Sequence, residues 1–305
     1  MADRPGGRRQ SFHMMFGRAA TIGLLVLSAC TPTVGSTTSV ETSTTATTSV
    51  PTTTTTTVAP TSAYLLESAT IDGVIPIDIY GPDEVGPWPV VVQFHGGGWF
   101  GGDRTSMAPL AEALAESGVV VFNATYRTSN GGYPESFEDV ACAIRYAASR
   151  ASDFTESSAG TTIVAHSAGA QLASVIALAG DHFEGDCPLQ GSALPTRFVG
   201  LAGPYDVTQL TQVLPSFFGT RYEVDPAPWE DGSAFFHLGQ NPELRVLLIH
   251  GTADDFVPVE FSKDFGRALQ DEGYSVRVEI LDGVNHFDVH QPDVVASLIA
   301  NLIGA

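Results

Sequence analysis

Four short stretches of this 305-residue chain carry residue types that can work together on an acyl group. The first is Ala165-His166-Ser167-Ala168-Gly169, a serine flanked by small residues between a strand-like run and a helical one. A tight strand-to-helix turn of the G-x-S-x-G kind exposes the serine hydroxyl. Ala165 replaces the first glycine, which reads as a local packing change and leaves the chemistry in place. A serine hydroxyl is a poor nucleophile at neutral pH, so it needs an adjacent base, and the base needs a partner that sets its tautomer. Both occur later in the chain. The stretch from His250 to Pro258 (H-G-T-A-D-D-F-V-P) offers a carboxylate, and Gly283-Val284-Asn285-His286-Phe287 offers an imidazole. The fourth stretch is His95-Gly96-Gly97-Gly98-Trp99. Its glycines leave backbone N–H groups bare, and two such groups aimed at one point stabilise a developing oxyanion by about 3–4 kcal/mol each. The expected donors are Gly97, Gly98 and the Ala168 N–H at the start of a helix.

These stretches need a scaffold that brings them to one place. From about Tyr64 onward, apolar strand-like runs alternate with helical ones. Strands are expected at 71–80, 89–95, 119–123, 162–166, 197–201, 245–250 and 276–281. Helices are expected at 107–116, 135–149, 169–179, 261–272 and 293–302. Buried strands separated by helices of this length predict a mostly parallel sheet covered on both faces, in one domain of about 240 residues. Ligands of such a sheet bind at the carboxyl ends of the strands, which is where all four stretches fall. Gly203 to Gln240 is the least regular part and the candidate lid or pocket wall.

In combination and in order, these motifs resemble the α/β-hydrolase family, and within it the esterases that carry H-G-G-G-W, the hormone-sensitive-lipase-like and feruloyl-esterase-like group. The H-G-x-x-D-x-x-V-P pattern is also shared with the prolyl-oligopeptidase-like branch. The resemblance implies a single α/β-hydrolase domain with a small or minimal lid. It implies a nucleophile Ser167, a base His286 in preference to His290, which falls into the start of the last helix, and an acid Asp254 at the fifth position of its motif, with Asp255 as the alternative. It implies cleavage of carboxylic esters through an acyl-enzyme, with no metal or organic cofactor. An exopeptidase or amidase is the other enzymatic reading. A hydrolase fold reduced to a binding module is the non-enzymatic one, and such relatives typically lose a triad member. Trp99 and His166 are candidate substrate-binding residues.

The N-terminus reads as an address. Arg4, Arg8, Arg9 and Arg18 precede an apolar run from Ala19 to Ala29, which is too short to span a bilayer core needing about 20 residues. Leu27-Ser28-Ala29-Cys30 resembles a bacterial lipobox, which implies a signal peptide over 1–29 and a lipid on Cys30. Residues 31–62 are mostly Thr and Ser, with too little apolar surface to fold, and would reach roughly 30 Å as a flexible stalk. The expected location is the outer face of the bacterial cytoplasmic membrane, touched only through that lipid.

The formal charge is −20 and becomes −23 once residues 1–29, with four arginines and one aspartate, are removed. Such acidity argues against a nucleic-acid partner and leaves a small-molecule ester as the expected one. Of three cysteines, Cys142 and Cys187 fall on or just after helices expected side by side, so in an exported protein they are expected to pair. His95 and His250 are expected to brace their loops, and Phe217, Phe218 and Trp229 to join the core.

Overall fold

The computed structural model describes residues 63–305 apart from 129 and 131. The expected signal peptide, the lipobox with Cys30 and the Thr/Ser stalk lie outside the described residues. Eight strands form one sheet: β1 Ala63–Ile71, β2 Ile75–Pro82, β3 Val90–Phe94, β4 Val120–Ala124, β5 Thr161–His166, β6 Arg197–Leu201, β7 Arg245–Gly251 and β8 Ser275–Leu281. Their order across the sheet is β1-β2-β4-β3-β5-β6-β7-β8. β1–β2 and β2–β4 pair antiparallel, and every pair from β4 through β8 is parallel.

The central strands are short apolar runs such as Val90-Val91-Val92-Gln93-Phe94, in which all five residues are buried. Burial of both strand faces requires cover on each side. The helices α1 Ala108–Glu116 and α6 Pro292–Ile303 supply one layer. The helices α2 Glu135–Arg150, α3 Ser167–Ala179 and α5 Glu260–Asp271 supply the other. A short helix, α4 Ala227–Asp231, lies in the irregular segment after β6. All thirteen residues of α3 are buried, and their small side chains let it pack closely against β5 and α2. Cys142 on α2 and Cys187 beyond α3 form a disulfide, as expected.

The structure corrects three boundaries. The expected strand 71–80 is a hairpin instead. Asp72 and Gly73 both take positive φ, 49° and 71°, and turn the chain between β1 and β2. An Asp-Gly pair accommodates this left-handed turn, and its twist matches the flanking strands. The helix after the serine begins at Ser167 and not Gly169, so the serine itself opens it. His290 closes a short 3-10 turn, Asp288–His290, ahead of α6 and not within it.

Candidate active site

Parallel strands place their carboxyl ends on one edge, so the loops after β3, β5, β7 and β8 converge. At the end of β5, Ser167 adopts φ 52°, a backbone state that costs a non-glycine residue energy and that the surrounding packing must hold. Gly169 is essential to the turn. A Cβ there would lie 2.2 Å from the His95 carbonyl oxygen, so the loop after β3 packs directly on the helix start. Ala165 is fully buried between Phe94 and Gly200, and the strained turn forms with its methyl group in place.

The Ser167 hydroxyl donates to His286 Nε2 at 2.9 Å, and His286 Nδ1–H donates to Asp254 Oδ2 at 2.7 Å. The three side chains come from the ends of β5, β8 and β7 and meet across 119 and 32 residues of sequence. Asp254 also accepts the Phe256 and Val257 N–H groups on Oδ1, at 2.9 and 2.8 Å. Burial works to raise its pKa. The hydrogen bonds from His250, His286 and these two backbone donors outweigh burial and hold the carboxyl well below the usual range. Asp255, the alternative acid, is exposed. His290 makes ring contact with His166, and burial, followed by the nearby His286, holds its pKa down.

The glycine loop is built from strained backbone. Gly97 has φ 139°, and a Cβ on it would lie 2.0 Å from the Gly101 carbonyl oxygen, so no larger residue fits without moving the loop. His95 braces the loop as expected. Its Nδ1–H donates to the Gly96 carbonyl at 2.6 Å and its ring stacks on Tyr126 at 4.3 Å. Trp99 is buried and lines the cavity, and its indole N–H is taken by Gln171 Oε1 at 2.9 Å. Ala168 lies in the first turn of α3, where backbone N–H groups have no partner within the helix.

Two functional contacts were not legible beforehand. His250 does more than brace its loop: its Nε2–H reaches Asp254 Oδ2 at 3.1 Å and the Val257 carbonyl at 2.9 Å, while Nδ1 accepts from Ser262 at 2.7 Å. His166, within the serine turn, donates from Nε2 to the His286 backbone carbonyl at 2.9 Å. It ties the His286 loop to the Ser167 turn as well as lining the cavity. Burial first, and the imidazoles of His290 and His286 next, hold His166 neutral. The signal for both was closeness in sequence, His166 directly before Ser167 and His250 four residues before Asp254.

Around Ser167 lies a cavity of about 580 Å³, walled by the glycine loop, His286, Pro204, Leu210, Val213 and Phe261, among others. Pro204, Leu210 and Val213 come from the irregular segment after β6, as its reading as a pocket wall requires. Phe217, Phe218 and Trp229 are buried in the core. Among the described residues, no group of three or more His, Cys, Asp or Glu is placed to hold a metal ion.

Residues 77–269, from β2 through most of α5, match the BD-FAE family. The chain belongs to the BD-FAE family. The match includes the glycine loop, Ser167 and Asp254, and ends before His286. A curated relative in Arabidopsis thaliana, described as a probable isoprenylcysteine α-carbonyl methylesterase, is 25% identical over 236 residues, which is 71% of this chain and 49% of that protein. Esterase LipQ of Mycobacterium tuberculosis is 28% identical over 252 residues, covering 75% of this chain and 58% of its own. The chain thus spans about half the length of the curated relatives it matches. The solved structure of a hormone-sensitive lipase from a metagenome library superposes with a TM-score of 0.62 at 20% identity, over 80% of this chain and 86% of that one. That likeness shows the fold: this is an α/β-hydrolase domain.

Proposed function

We propose that this protein is a serine esterase that cleaves carboxylic esters through an acyl-enzyme. The observation that carries the reading is the unbroken hydrogen-bonded chain Ser167–His286–Asp254 at the floor of an open cavity. The esterase names of the relatives support it. Ser167 Oγ attacks the ester carbonyl while His286 Nε2 takes its proton. Asp254 keeps Nδ1 protonated, so that Nε2 is the free acceptor, and it stabilises the imidazolium that forms. The N–H groups of Gly97, Gly98 and Ala168 receive the oxyanion. His286 then gives the proton to the leaving alcohol, and water, activated by the same imidazole, releases the acid. These residues complete the reaction without a metal or organic cofactor.

In this reading the enzyme works outside the cytoplasmic membrane. A lipid on Cys30 anchors it, and the Thr/Ser tract holds the domain away from the surface.

The test is labelling of the full chain with a fluorophosphonate, together with turnover of nitrophenyl esters. Ser167 takes the label and Ser167→Ala abolishes turnover. A wild-type protein that neither labels nor hydrolyses any ester rejects the function. For the anchor, labelled fatty acid incorporates into the wild-type chain in a bacterial host and not into Cys30→Ala. Equal incorporation, or none, rejects it.

A further inference from the structure

Phe256 and Phe287 are large apolar side chains left 68% and 56% exposed. They are not scattered surface residues. Their rings meet edge to face with centroids 5.1 Å apart, and each lies 5.4 Å from the His286 imidazole. Both line the cavity that holds Ser167. Their backbones are held by the loops that carry the acid and the base. The Phe256 N–H donates to Asp254 Oδ1, and the Phe287 N–H donates to Asn285 Oδ1 at 2.9 Å. Two fixed aromatic rings facing water beside a reactive group form an apolar surface that gains free energy when covered.

Which part of an ester covers them follows from the proton transfers, and this step rests on the esterase reading above. When the tetrahedral intermediate collapses, the bond from the acyl carbon to the alcohol oxygen breaks. The bond from that carbon to Ser167 Oγ remains. The proton on His286 Nε2, taken from Ser167, moves to the departing oxygen, and a neutral alcohol leaves. The departing oxygen must therefore come within hydrogen-bond reach of Nε2, while the carbonyl oxygen is turned away toward the glycine loop. The substituent on the departing oxygen is the part of the substrate beside His286, and Phe256 and Phe287 are the exposed apolar side chains packed there, with the buried His166 ring 4.8 Å from the imidazole. No Asp, Glu, Lys or Arg lines this cavity among the described residues, so nothing in it favours a charged group.

We propose that Phe256 and Phe287 form a leaving-group subsite that selects esters of uncharged apolar alcohols, aromatic or long-chain.

Two constitutional isomers isolate the claim. Benzyl acetate carries its phenyl group on the alcohol side, and methyl phenylacetate carries it on the acyl side. The full-length wild type and its Phe256→Ala and Phe287→Ala variants are assayed on both, below the solubility limit, by titrating the released acid. Fluorophosphonate labelling of Ser167 reports on the fold and the nucleophile in each protein. Each substitution is expected to lower the ratio of kcat/KM for benzyl acetate over methyl phenylacetate by about three- to tenfold, and Phe256→Leu to lower it less. A ratio that stays constant in variants that still label overturns the subsite and leaves the esterase reading standing. An equal loss on both isomers overturns it too, because the rings would then serve the cavity as a whole. A wild type that neither labels nor hydrolyses either isomer removes the esterase reading itself.

Discussion

His250 donates to the same Asp254 oxygen that receives His286, at 3.1 Å against 2.7 Å. The two imidazoles thus share Oδ2, while Oδ1 is held by two backbone N–H groups. Every lone pair that fixes the carboxylate plane is in use. His250 is fully buried and its far nitrogen is occupied by Ser262 on α5, so it has no freedom to turn away. In the proposed reaction it acts as a positioning residue for Asp254.

His250→Ala is expected to lower kcat about tenfold or more, the loss of one hydrogen bond to a charged group at about 1.5–3 kcal/mol. KM should change little. His250→Gln keeps an N–H donor at similar reach and should retain more of the rate. Steady-state kinetics of the three proteins check this. Equal losses in both variants would reduce His250 to a packing role.

The choice of acid is testable by paired substitutions. Asp254→Asn leaves His286 with a donor where it needs an acceptor, so kcat should fall by about four orders of magnitude, as when a triad carboxylate is replaced elsewhere. Asp255 is exposed, and Asp255→Asn should stay within a factor of two or three of wild type. The reverse pattern on nitrophenyl acetate would move the acid to Asp255.

Stability should fall in mild acid. Burial lowers the pKa of His95, and burial followed by the His290 and His286 imidazoles lowers that of His166 further. Below the unfolded-chain value of about 6.5, the unfolded protein takes up these protons while the folded protein does not. Stability is therefore full above about pH 6.5 and declines below it, by up to about 1.4 kcal/mol per pH unit for each histidine. Asp254 adds a loss only at much lower pH, because its folded pKa is depressed and its contribution is present above the unfolded value of about 3.9. Urea melts at pH 7.5, 6.5 and 5.5 measure the slope. A midpoint that does not move between pH 6.5 and 5.5 refutes it.

Breaking the Cys142–Cys187 bridge should destabilise the domain. It closes a loop of 45 residues, for which the chain-entropy account gives about 4 kcal/mol. The double substitution to alanine, compared with wild type by thermal unfolding, should lose about 2–4 kcal/mol and leave Ser167 reactive toward a fluorophosphonate at 25 °C. No change in unfolding midpoint would mean that the native state gains nothing from the link.

The central strands and their helices were legible because each carries its own period. Three- or four-residue apolar runs with β-branched side chains mark β3, β5 and β7. The hairpin at Asp72-Gly73 is masked in the sequence, because the isoleucines at 71, 75, 77 and 79 keep one alternation in phase across the turn. Asp254 and His286 stand out in the sequence by their place after strands, and the fold brings the two side chains together. Nothing local separates His250 from a simple loop brace, or a stacked aromatic such as Phe256 or Phe287 from a core one.

The sequence by itself determined the parts. It specified a serine on a turn that only small neighbours permit, a bare glycine loop, and a carboxylate and an imidazole each placed after a strand. These are local requirements of backbone geometry, and short motifs encode them. Only the tertiary structure decided how the parts meet: that Asp254 and not Asp255 faces His286, that His250 shares the same Asp254 oxygen, and that His166 holds the His286 loop. It also left two phenylalanines bare beside the imidazole. Those relations depend on strand order and loop direction across as many as 120 residues of chain, and no local pattern carries them.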